Sequence, residues 1–115
     1  MTINGREVGF FYSVGAHCAY SDYIIKNPED SVAAAVLKKA ELMNEAWLEA
    51  KRDAGETDLP EALTAAELHK LPARVFIELT QILEEQEKKD CEVTVEAEEP
   101  KEGKGKNGRS AAKSK

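Results

Sequence analysis

Thr2-Ile3-Asn4-Gly5-Arg6-Glu7-Val8-Gly9-Phe10-Phe11-Tyr12-Ser13 opens on a turn signal and closes on a helix cap. Asn4-Gly5 suits a two-residue type I′ turn, because both central residues of that turn need positive φ. The spacing predicts a short strand at Thr2-Ile3 and a second from Arg6 to Tyr12. In the second strand Val8, Phe10 and Tyr12 alternate with Glu7, Gly9 and Phe11. One face is therefore apolar, and Phe11 stands alone on the other. Two strands are marginal in water by themselves. They must pack on a helix, or their open edge must pair with another chain.

Helices account for the rest of the ordered chain. Ser13 caps a helix expected over Val14 to Lys26. Val14, Cys18, Ser21 and Ile25 form one stripe on it; Ala16, Tyr20 and Tyr23 form another. Both stripes carry apolar mass, which predicts a well-buried helix. Asn27-Pro28-Glu29-Asp30 reads as the next start, with Asn27 as N-cap and Pro28 at the first helical position. That helix is expected to reach Ala54, where Gly55 stops it. Its apolar stripe is Val32, Val36, Ala40, Met43, Trp47, Ala50 and Ala54, widened by Leu37 and Leu48. A stripe of about seven turns exceeds what a small core needs, so its distal part is available to a partner. Glu56 to Leu63 is a loop, broken by Pro60. Thr64-Ala65-Ala66-Glu67 is a capping box that opens a short helix to His69. Pro72 starts the fourth helix, with Val75, Phe76, Leu79, Ile82 and Leu83 on its apolar face. Glu84 to Asp90 is expected to trail into solvent, and Cys91 to Val95 alternates like a short strand. The fold class is α+β, mostly α: an N-terminal β-hairpin, four helices with one long, and a disordered C-terminal tail.

The charge divides the chain in the same way. Net charge is −6 over 115 residues. Residues 1–95 hold 18 acids against 10 bases, and residues 96–115 hold 4 acids against 6 bases. From Lys101 to Lys115 no side chain is large enough to enter a core, so that segment cannot repay its ordering entropy. The expected division is a hairpin-plus-helical domain over 1–95 and a disordered, basic, Gly/Lys-rich tail over 96–115. The tail is a solvated end, or a basic arm on nucleic acid or an acidic partner. Six bases over fifteen flexible residues make a weak field at physiological salt, which favours the first. The acidic balance of the whole argues against nucleic acid as the partner. No apolar run reaches the roughly 20 residues of a membrane helix, and no basic-then-apolar leader opens the chain.

The chemistry-bearing residues are few. Cys18 and Cys91 lie far apart, and cysteines of this kind in a cytosolic chain are usually reduced. His17 beside Cys18 suggests a metal or nucleophile pair, but zinc needs three or four convergent ligands and no such spacing exists here. The simpler reading is a small buried Cys18 and a half-exposed His17. Gly5, Gly9 and Gly15 fit neither dinucleotide nor phosphate-loop spacing. No catalytic, metal or cofactor-binding residue, and no cofactor, is therefore assigned.

The order of features resembles the tail assembly chaperones of long-tailed bacteriophages and prophages. The resemblance rests on three stretches. They are Thr2 to Ala16, a strand feeding a helix through a Gly-containing corner; the long acidic helix; and Leu63-Thr64-Ala65-Ala66-Glu67-Leu68-His69-Lys70-Leu71-Pro72-Ala73 with the apolar helix to Leu83. It covers residues 2–90. It implies a non-enzymatic protein of the bacterial host cytoplasm that binds tape-measure and tail-tube proteins during tail assembly; the open hairpin edge and the surplus apolar length of the long helix point to a homo-oligomer. A holdase needs exposed apolar surface and solubilising charge. The protein-binding residues expected on that account are Phe10, Phe11, Tyr12, Met43 and Trp47. The unusual length of that helix and the basic tail depart from the family pattern. The competing reading is a small helical adaptor or regulator of a mobile element, binding a host protein or nucleic acid through its basic tail. A third is a small enzyme using His17 and Cys18.

Overall fold

A computed structural model describes residues 1–92 of the chain. The element order is β1 (Thr2–Ile3), β2 (Arg6–Glu7), α1 (Val14–Lys26), α2 (Val32–Asp53), α3 (Ala65–Leu68) and α4 (Ala73–Cys91). The fold is mostly helical, with one long helix and a short antiparallel hairpin. Cys91, expected to open a short strand, instead closes α4; the rest of that expected strand beyond Glu92, the expected boundary at residue 95 and the basic tail lie outside the described residues.

The hairpin turns at Asn4 and Gly5, whose φ values are 51° and 80°. These are the positive values that a type I′ turn demands and that Asn and Gly adopt most readily. Thr2 pairs with Glu7, and Ile3 with Arg6. The second strand is shorter than expected. It ends at Glu7, and Val8–Ser13 continues as an irregular strap. No third strand lies alongside among the described residues; Val8 still bonds to Met1, and beyond it the strap's backbone groups bond to helices. The Phe11 N–H donates to the Met43 carbonyl at 3.0 Å. The Asn44 side-chain amide donates to the Gly9 carbonyl at 3.0 Å, and the Tyr12 N–H donates to Asp90 Oδ2 at 2.8 Å. The alternation survives: Val8 and Phe10 are buried, while Phe11 is exposed.

Ser13 caps α1 as expected, its hydroxyl accepting from the Ala16 N–H at 3.0 Å. The burial of α1 is not as expected. Only the Ala16, Tyr20 and Tyr23 stripe faces the protein. Val14, Cys18 and Ile25 lie on the outside, and Val14 and Ile25 are 81% and 76% exposed. The reason is geometric. Among the described helices α1 packs chiefly on α2, and a helix with one main neighbour buries one stripe.

The start of α2 is also shifted. Asn27 caps the end of α1, its side-chain amide donating to the Tyr23 carbonyl at 2.9 Å. A residue committed to one helix end cannot open the next. Ser31 takes that role, accepting from the Ala34 N–H at 3.1 Å. The helix runs for 22 residues, roughly 33 Å. Its buried residues are Leu37, Ala40, Met43, Asn44 and Leu48. The stripe is thus rotated toward Leu37 and Leu48, and its ends at Val32, Ala50 and Ala54 are exposed. Gly55, at φ 89°, follows the Ala54 cap.

The core lies where the hairpin and strap (Ile3, Val8, Phe10) meet α2 (Leu37, Ala40, Met43), the loop and α3 (Leu63, Leu68), and α4 (Leu79, Leu83). α4 does not trail off after Leu83. It stays helical to Cys91, and Glu87 pairs back with Lys39 of α2.

One carboxylate joins the hairpin to α3. The capping box forms, with the Glu67 N–H donating to Thr64 Oγ1 and the Thr64 N–H donating to Glu67 Oε1, each at 3.2 Å. Arg6 adds two bonds to the same carboxylate, at 2.9 and 2.7 Å, and Asn4 Nδ2 adds a third at 2.9 Å. Arg6 first, then Asn4 and the Thr64 backbone, hold the Glu67 carboxyl down at about 2, against an ordinary value of 4.5; partial burial opposes them. A carboxyl depressed in the folded state stabilises fully above its unfolded value and loses that contribution as pH falls through the folded one. Stability should therefore decline from about pH 4.5 toward pH 2. In Glu67→Gln this component of the acid limb should flatten, as read by urea midpoints at successive pH values; an unchanged limb would remove Glu67 from the account.

Asn44 is 2% exposed and bridges two chain segments, donating to the Gly9 carbonyl and accepting from the Leu63 N–H at 2.8 Å. Replacing it with Ala strands both partners. The expected loss is about 2–4 kcal/mol in urea unfolding, and a loss below about 0.5 kcal/mol would show that water replaces the amide.

Candidate functional site

The strap crosses α2 at Gly9, and this crossing builds the most distinctive surface of the molecule. A Cβ on Gly9 would lie 2.1 Å from Trp47 Cε2 and 2.4 Å from Nε1. Only glycine lets the backbone lie this close to the indole. Trp47 is half-buried beneath the strap, and Lys51 Nζ stands 5.0 Å from its ring centroid. Lys51 also pairs with Glu56 at 3.3 Å. Between the strap, the distal end of α2 and Gln86 of α4 lies an open cleft of about 400 Å³, lined by Phe10, Phe11, Trp47, Ala50, Ala54 and Gln86 among others.

The five residues expected to bind protein do not share one surface. Phe11, at 37% exposure, and the half-buried Trp47 border the cleft. Phe10 and Met43 are 6% and 0% exposed. Both pack in the core where the strap is pressed onto α2, and Phe10 also reaches the wall of the cleft. Tyr12 is half-buried on the far side of Phe11, in a polar cluster.

In that cluster the Tyr12 hydroxyl lies 2.7 Å from His17 Nδ1, and the two rings meet edge to face. Lys39 stands 5.3 Å from the Tyr12 ring centroid and 5.0 Å from that of Tyr20, and pairs with Glu87. Burial first, then the negative charge of Glu87, raises the Tyr12 phenol above its usual value. His17 is engaged with Tyr12. Cys18 points elsewhere, as adjacent helix positions must, and is exposed where a small buried thiol was expected.

A second apolar surface lies on α1 and the α1–α2 corner. Val14, Ile24, Ile25 and Val32 are exposed there, and Tyr20, Tyr23, Ile24 and Val32 line a recess of about 270 Å³. Sequence reading assigned this stripe to the interior. The signal against that was present: α1 carries two apolar stripes, and one neighbouring helix covers only one. No helix among the described residues is long and apolar enough to cross a membrane. No family model, no curated protein and no solved structure matches this chain.

Gly9→Ala tests the close crossing. The added methyl must push the strap off Trp47 or displace the indole, at an expected cost of about 1–3 kcal/mol. The sole tryptophan should then emit further to the red. Unchanged stability and unchanged emission would mean that the strap does not press on the indole.

Proposed function

We propose that this chain is a non-enzymatic tail assembly chaperone of a long-tailed phage or prophage, acting in the bacterial cytoplasm on tape-measure and tail-tube proteins. The observation that carries this reading is the amount of apolar surface left open on an acidic body. Phe11 and Trp47 border an open cleft, and the outer stripe of α1 exposes Val14 and Ile25. A holding protein needs such surface to compete for the apolar segments of an unassembled client, and net negative charge to remain dispersed meanwhile. The exposed distal end of α2 at Ala50 and Ala54 adds to it. Self-association through the same surfaces, with a short hairpin edge available for pairing, shelters them until a client arrives.

Co-expression with a tape-measure fragment tests the reading. The chain should raise the soluble yield of the fragment and should itself run above monomer mass by light scattering. Phe11→Lys should reduce both effects while changing stability by less than about 1 kcal/mol, because Phe11 is not a core residue. A strict monomer with no effect on client solubility would overturn the proposal and favour the adaptor reading.

A further inference from the structure

The last two turns of α4 are attached by polar contacts, whereas the first half of the helix is attached by its core. Leu79 and Leu83 are its buried residues. Beyond them run Glu84-Glu85-Gln86-Glu87-Lys88-Lys89-Asp90-Cys91, with none of these side chains in the core. Two contacts return this segment to the body: Glu87 pairs with Lys39, and Asp90 Oδ2 accepts from the Tyr12 N–H at 2.8 Å. Gln86 donates to the same Asp90 oxygen at 3.0 Å and forms one wall of the Phe11–Trp47 cleft.

We propose that residues 84–91 are a releasable latch that narrows this cleft. The Lys39–Glu87 pair is partly buried, but the segment it holds carries no core side chain. The Tyr12 N–H bond to Asp90 is partly buried, and the amide regains water as the departing segment opens the cleft. Release of the segment therefore costs far less than unfolding the Leu79–Leu83 half, as local openings of this kind do. Glu84 with Lys88, and Glu85 with Lys89, stand four residues apart in the favourable order, so the freed turns retain helical support. Opening removes the Gln86 wall and uncovers the Tyr12 N–H beside Phe11. Asp90 thus occupies the position that a main-chain carbonyl of an extended client would take. This inference rests on the cleft being the working surface proposed above, and it adds the means of regulating it. A rise in ionic strength favours the open form modestly, because the Lys39–Glu87 pair is partly buried and only partly screened.

Hydrogen exchange with mass readout and acrylamide quenching of Trp47 test the latch on the full chain without any client. Asp90→Ala and, separately, Lys39→Gln should speed amide exchange over residues 85–91 by about fivefold or more, leaving 73–80 at the wild-type rate. Trp47 quenching should rise by about half or more in both variants. Wild type in about 0.5 M salt should move in the same direction. Unchanged exchange in both variants overturns the proposal. So does faster exchange with unchanged Trp47 quenching, which would be a frayed end that gates nothing. Loosening of all of α4 also overturns it, because release would then be unfolding. The solubility assay above uses a client and these measurements do not, so failure of the latch and failure of the chaperone reading are separately visible.

Discussion

Asn44 is the constraint on which the rest of the fold depends. It is a polar side chain at the centre of an apolar helix face, and a buried amide without partners is costly. Its partners are the Gly9 carbonyl and the Leu63 N–H, which belong to the strap and to the α2–α3 loop. Satisfying one side chain therefore fixes two irregular segments against the same turn of α2. The strap then lies close enough to Trp47 to require glycine at position 9. Val8 and Phe10 fall into the core, and Phe11 is turned outward. The surface features of the molecule follow from how this interior bond is met.

The two ends of the α3–α4 region are held by different physics. At α3 a single carboxylate gathers bonds from Arg6, Asn4 and Thr64, and its own acidity records how firmly it is held. Several converging donors on one acceptor share the ordering cost, so the clasp is worth more than an isolated surface pair. At the end of α4 the contacts are single and partly buried, with no core side chain behind them. A small protein with one firm clasp and one weak one has a built-in order of opening.

Much of this was legible from residue types. Asn4-Gly5 wrote the turn, Thr64 to Glu67 wrote the capping box, and Pro72 and Gly55 wrote their boundaries, because each acts within four residues of itself. What escaped depended on tertiary partners. Nothing local distinguishes Asn27 as the end of α1 from Asn27 as the start of α2; the choice was made by its bond to the Tyr23 carbonyl. The Val14–Ile25 stripe looked interior because periodicity records amphipathicity and not the number of neighbours. Glu87 and Asp90 looked like solvated charge until Lys39 and Tyr12 were placed opposite them. Of the candidate site, Phe11 and Trp47 were readable as unusual, whereas the burial of Phe10 and Met43 depended on where the strap is pressed onto α2.

The Arg6–Glu67 bonds span 61 positions of sequence. α1 and α2, by contrast, are neighbours along the chain, and their contacts are local. During synthesis the helical pair can therefore form early, while Ile3, Val8 and Phe10 wait for Leu79 and Leu83 to be made. The segment translated first among these elements is the one whose burial is completed last. α2 can cover the apolar N-terminal stretch on one side, through Leu37, Ala40 and Met43, but its other side stays open until Leu79 and Leu83 arrive.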